Sequence, residues 1–323
     1  MRSARFFALL TVLLVVFVPA LPPPPAMAQE ETAEIPPLPR PRPDRDAAEA
    51  PAAEAPETTP ATEAIVALTS APQPVTLTAR ITQDGTAIPD GLVWRIFDSV
   101  PDADGEMSLV AKAEAGTATL ELPPGEYVVH VAYGQAQISE SLSVAPGPNQ
   151  KDLILEAGAL RLNSAVTGDI PISPAQLRFD IFTAGPEASR AMVAENLPPN
   201  EIVTLNAGTY HIVSHFGPIN AVVRADLRVE PGQLTDATLY HHASEVSFKL
   251  VSEEGGEAIA DVEWTVKTSD GTTIFSERGA FPSTVLAEGE YLVLAKLGEQ
   301  VYNREVEVQP GSPREIEVLS SIY

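Results

Sequence analysis

A chain of 323 residues, 44% hydrophobic, has apolar matter for two or three cores at roughly 100–200 residues per domain. Its formal net charge of −24 and pI near 4.4 oppose binding to nucleic acid or anionic lipid, which need Lys and Arg to displace counterions. The absence of cysteine excludes disulfides, thiolate metal sites, a cysteine nucleophile and lipidation at a cysteine after a signal peptide.

The N-terminus reads as an export signal. Arg2 and Arg5 precede an apolar run from Phe6 to Val18, and Ala26-Met27-Ala28 forms a small-x-small site before Gln29. Phe6 to Leu21 is shorter than the roughly 20 residues a membrane span needs, and Pro22 to Pro25 stops a helix. A cleaved signal peptide over 1–28 is therefore expected, with no stable membrane insertion afterwards. Residues 29–72 are rich in Pro, Ala and Glu and lack aromatic side chains, so a disordered linker is expected there. An exported, cysteine-free chain fits a bacterial periplasm or the extracellular face.

The remainder repeats itself. Leu122, Gly125 and Tyr127 recur as Leu205, Gly208 and Tyr210, and again as Leu286, Gly289 and Tyr291, in the pattern L-x-x-G-x-Y. Trp94, Phe179 and Trp264 keep the same phase, as do Gly134, Gly217 and Gly298, each seven residues after the tyrosine. Pro146-Gly147, Pro231-Gly232 and Pro310-Gly311 close the pattern. The phase divides the chain into copies at 73–157, 158–243 and 244–323.

Apolar residues alternate after each tyrosine: Tyr127, Val129, Val131; Tyr210, Ile212; Tyr291, Val293, Ala295. A period of two predicts strands with one buried face. Ile219, Ala221, Val223, Ala225, Leu227 and Val229 extend the same alternation. Two-residue loops at Gly134-Gln135, Gly217-Pro218 and Gly298-Glu299 predict hairpins of the type II′ kind, and the Pro-Gly pairs predict type II turns. The fold class is then all-β: three tandem Greek-key sandwiches of immunoglobulin-like or prealbumin-like kind.

L-x-x-G-x-Y suits a tyrosine corner, in which the ring turns inward and its hydroxyl bonds to backbone a few residues upstream. The glycine is expected to permit a tight bend. With Leu122 to Tyr127 reading LPPGEY, residues 73–323 resemble bacterial tandem modules related to carboxypeptidase regulatory-like (prealbumin-like) and fibronectin type III-like domains. The resemblance implies spacing, accessory or binding roles and carries no catalytic residue. Short joints, Leu155 to Leu160 and Tyr240 to Val246, predict a semi-rigid rod on the order of 100 Å.

Candidates for chemistry are few. His211 and His215 share a strand face and with His241-His242 form the one metal candidate. Their counterparts in the other copies are Val128 and Leu292, and Ala132 and Lys296, so solvent-facing substitutions are expected, with no metal site. Asp102-Ala-Asp104-Gly105-Glu106 resembles part of a calcium loop, but Val100 and Ala111 stand where acids are required, which favours a hairpin turn. Trp94, Phe179 and Trp264 alternate with polar neighbours and read as core aromatics rather than sugar platforms. No nucleophile, phosphate-loop or dinucleotide pattern occurs, so neither catalytic nor cofactor-binding residues are assigned. The expected function is a non-enzymatic envelope spacer, scaffold or binding module whose partner is an envelope protein or glycan. The alternative is a glycan-binding module or accessory enzyme acting on envelope polysaccharide or peptidoglycan through loop carboxylates.

Overall fold

Alternating side chains place one residue in two on an inner face, and the strands pair so that those faces meet. The computed structural model describes residues 70–320 together with Ala67, all within one unit, Thr58–Tyr323. The export signal and nearly all of the linker lie outside the described residues.

The first sandwich contains β1 (Gln73–Arg80), β2 (Val93–Pro101), β3 (Met107–Glu114), β4 (Thr117–Leu122), β5 (Gly125–Tyr133), β6 (Ala136–Val144) and β7 (Asn149–Ile154). The second contains β8 (Ala157–Val166), β9 (Ile170–Pro171), β10 (Leu177–Thr183), β11 (Met192–Leu197), β12 (Ile202–Asn206), β13 (Gly208–Phe216), β14 (Ala221–Val229) and β15 (Leu234–His241). The third contains β16 (Ala243–Val251), β17 (Glu263–Thr268), β18 (Thr273–Arg278), β19 (Ser283–Ala287), β20 (Gly289–Leu297), β21 (Gln300–Val308) and β22 (Arg314–Leu319).

All three share one topology. A sheet ordered β4-β1-β7 faces one ordered β3-β2-β5-β6; the second copy repeats this as β12-β8-β15 and β11-β10-β13-β14, and the third as β19-β16-β22 and β18-β17-β20-β21. The small strand β9 adds to β8. In each copy the first strand runs antiparallel to its neighbour in the hairpin-side sequence and parallel to the last strand. Such a parallel pair needs the chain to cross between sheets, which is the Greek-key element of the fold.

Each copy encloses its own apolar cluster. Trp94, Phe179 and Trp264 are fully buried at the same place. The indole N–H groups donate to the Ala115 and Gly279 carbonyls at 2.8 and 2.9 Å, satisfying the one polar atom each tryptophan carries inward. Leu122, Leu205 and Leu286 are buried beside them.

The three tyrosines make one bond three times. Tyr127 Oη donates to the Pro123 carbonyl at 2.9 Å, Tyr210 Oη to Asn206 at 2.8 Å, and Tyr291 Oη to Ala287 at 2.9 Å. Each ring folds back over its motif glycine, and burial pushes the Tyr127 and Tyr210 phenols up. Tyr127 and Tyr291 are buried, whereas Tyr210 is only half-buried. The bend at the glycine is slight: φ at Gly208 and Gly289 is 157° and 155°, close to extended.

Three turns differ from the sequence expectation. Phe216 pairs with Ala221, so the middle hairpin has a four-residue loop, 217–220, rather than two residues. Ile219 therefore leaves the β14 face and packs against the third sandwich's core. Gly147 and Gly232 take positive φ after their prolines, as a type II turn requires, but Gly311 does not. The Asp102 segment is a turn: Asp102 Oδ1 accepts from the Asp104 and Glu106 amides, both at 3.0 Å, and Gly105 has φ of 84°.

The joints are short and bonded. One sandwich ends at Ile154 and the next begins at Ala157; only His242 separates β15 from β16. The strands start one residue before the boundaries expected from the phase, because Ala157 and Ala243 pack into the preceding core. At the first joint the Gln135 amide donates to the Thr204 carbonyl at 3.0 Å. Asn206 spans the same joint, accepting from the Gln137 amide and donating to the Leu155 carbonyl. At the second joint Asn220 does the equivalent from the other side, accepting from the Ala287 amide at 3.0 Å and donating to Tyr291 Oη at 2.8 Å. Val285, which precedes the third motif leucine, is buried in the second core.

Candidate functional site

The middle copy differs from its neighbours on both faces of one sheet. Register aligns three rows across the outer face of β10, β13 and β14: Arg178, His215, Val222; Asp180, Val213, Arg224; Phe182, His211, Asp226. The corresponding central row is Arg95, His130, Ser139 in the first copy and Thr265, Leu294, Asn303 in the third.

Two imidazole–carboxylate pairs stand on this face. His211 Nδ1 lies 2.7 Å from Asp226 Oδ1, and His215 Nε2 lies 3.0 Å from Asp180 Oδ2. Asp180 Oδ1 also accepts from the Asn196 amide at 2.9 Å. A carboxylate can only accept when ionised, so the paired ring nitrogens carry the protons. His211 Nε2 then presents a lone pair; it is buried and has no hydrogen-bond partner. A single 3-10 turn at Glu187–Ser189 and the following Arg190 border the face. Together these groups line a cleft of about 280 Å³.

Burial corrects the expectation of solvent-facing histidines. His211 is only 7% exposed and His241 is fully buried. Alternation puts His211 on the outer side of the sheet, but neighbouring side chains cover that side as well, and Val213 is buried there too. Among the described residues no group of three or more His, Cys, Asp or Glu side chains is placed to hold a metal.

The inner side carries a second polar group. Ser164 Oγ lies 2.9 Å from Ser214 Oγ, which lies 2.8 Å from His241 Nε2. Phe216 packs edge-on against the His241 ring. Burial, with a smaller contribution from His215, lowers the His241 pKa to about 4. Ser214 and His241 are both inaccessible, and so weak a base does not activate a hydroxyl; the pair is structural rather than a nucleophile and its base. In the first copy Ala79, Val131 and Leu155 occupy these positions.

The outer-face site was missed in the sequence because its components come from three strands and a turn. The signal available was pairing in register: Asp180 and Asp226 fall beside His215 and His211 only once β10 and β14 are aligned on β13. The motif leucines, glycines and tyrosines lie at the ends of the sandwiches, away from the cleft lining.

Residues 245–320, the third sandwich, match the Rhizobiales growth-associated tandem repeat domain. No curated protein matches the chain. Among solved structures, the Bacillus anthracis TIE protein is 15% identical with a TM-score of 0.23, covering 77% of this chain and 50% of its own. The minor pilin GBS52 of Streptococcus agalactiae is 13% identical with a TM-score of 0.31, covering 52% and 95%. The major pilin subunit BcpA of Bacillus cereus is 11% identical with a TM-score of 0.23, covering 77% and 100%. The chain thus spans half the length of the TIE protein. Likeness at this level says nothing of activity. Among the described residues no helix is long and apolar enough to cross a membrane.

Proposed function

We propose that this chain is an exported, non-enzymatic scaffold of the bacterial envelope, in which tandem sandwiches hold a binding surface at a set distance from an N-terminal tether. The observation that carries this reading is the pair of joints. Asn206 and Asn220, both of the middle copy, each bond in two directions across a boundary of one or two residues. A module built only to catalyse has no need of two such clamps; a spacer does. The likeness of the third sandwich to a growth-associated repeat supports a role during envelope growth. The signal-like N-terminus supports export to the periplasm or the cell surface.

The test is fractionation followed by complementation in the native cell. The mature chain should begin near Gln29, appear outside the cytoplasm, and restore growth to a deletion strain. A variant with both asparagines changed to alanine should be exported equally and restore growth less well. Retention of the chain in the cytoplasm, or full complementation by the joint variant, would overturn the reading.

A further inference from the structure

We infer that the cleft on the outer face of the middle sandwich binds an acidic saccharide, a hydroxyl-rich sugar ring carrying a carboxylate. The assignment follows from which groups in the cleft are already answered. Asp180 is held by His215 and the Asn196 amide, and Asp226 is paired with His211. Arg224, in the central row beside Val213, enters no ion pair among the described residues. Arg190 commits its Nε to the Gly185 carbonyl, which leaves its terminal nitrogens facing the cleft as donors. The open capacity is therefore cationic, and planar guanidinium groups suit a carboxylate.

A simple anion does not answer the whole site. His211 Nε2 is a buried acceptor with nothing to accept from. Its ring is fixed by Asp226 on the edge-strand side, so Nε2 is turned away from Asp226 and toward the cleft that His211 lines. A buried polar atom without a partner is costly, and a hydroxyl donor would relieve it. Phe182 and Val213 add apolar surface of the kind that receives the C–H face of a sugar ring. Carboxylate, hydroxyl and C–H face on one small ligand describe an acidic sugar, and about 280 Å³ is room for one such unit.

The other copies lack this combination. Where the middle copy has Asp180, Arg224 and His211, the first has Arg95, Ser139 and Val128, and the third has Thr265, Asn303 and Leu292. One site per chain follows. With a net charge of −24, non-specific uptake of an acidic sugar is opposed, so binding requires the site itself. Affinity is read on the purified chain and is independent of whether the chain acts as a scaffold.

Calorimetric titration of the full chain with trigalacturonate, maltotriose and inorganic phosphate tests this. Trigalacturonate should bind at one site, at least about tenfold more tightly than maltotriose or phosphate. Arg224→Ser, which installs the first copy's residue at an exposed position, should weaken it roughly ten- to a hundredfold, while Arg278→Ala on the third sandwich should change nothing. Failure of trigalacturonate to bind, equal binding of phosphate or maltotriose, or indifference to Arg224→Ser would each overturn the inference.

Discussion

Gly217 of the middle sandwich lies against Val285 of the third, so close that a Cβ built on the glycine would stand 2.7 Å from the valine Cβ. The same contact forms at the first joint, where a Cβ on Gly134 would stand 3.2 Å from that of Thr204. Gly298, the matching glycine of the third copy, has nothing within 4 Å. The hairpin glycine is thus both a turn residue and the seat of the next sandwich.

Gly298 supplies the control for a joint substitution. Gly217 and Gly298 have φ of 69° and 60°, so alanine at either meets the left-handed penalty of about 1–2 kcal/mol. Only Gly217→Ala also strikes Val285. Hydrogen exchange should show faster opening of Ser283–Ala287 in Gly217→Ala than in Gly298→Ala. Equal exchange in the two variants would refute a tight seat at the second joint.

The tyrosine hydroxyls should be graded. Tyr127→Phe and Tyr210→Phe each remove one bond to a carbonyl, with an expected cost of about 1–3 kcal/mol. Tyr291→Phe also deprives Asn220 of its acceptor and should cost more. Tyr240→Phe loses a bond to Asp169, but at an exposed position, and should cost least. Urea unfolding followed by hydrogen exchange in each sandwich measures the series. A silent Tyr210→Phe would contradict the corner's role.

Acid should weaken the middle sandwich first. His241 titrates near 4 in the fold and near 6.5 when unfolded, because burial disfavours its charge. Between those values the unfolded chain holds a proton that the fold rejects. Stability therefore falls as pH drops from about 6.5 to about 4, by roughly 1–3 kcal/mol, and this contribution flattens below that. His241→Leu, the first copy's residue, should remove the difference when melting is followed against pH. An unchanged pH slope in His241→Leu would show that another group sets it.

Strand alternation and the recurring tyrosine made the all-β architecture legible, because period-two burial is a local property of the chain. What escaped is non-local. Ile219 continues the β14 alternation in sequence, yet a longer turn hands it to the next core. His211 reads as outward-facing, but covering of that face depends on other strands and the Glu187–Ser189 turn. The inner polar group left a trace: Ser164, Ser214 and His241 replace apolar Ala79, Val131 and Leu155 at matched positions. Three polar exchanges at phase-matched core positions in one copy are a signal that paired register makes readable.

Because the chain has no cysteine, a double electron–electron distance measurement across both joints needs only two substitutions. Ser141→Cys on β6 and Glu305→Cys on β21 place spin labels at exposed, equivalent positions of the first and third sandwiches. The clamped joints predict one narrow distance distribution, which broadens when Asn206 and Asn220 are both changed to alanine. A broad distribution in the otherwise native chain, unchanged by removing the two asparagines, would contradict the account of three sandwiches held at a fixed spacing.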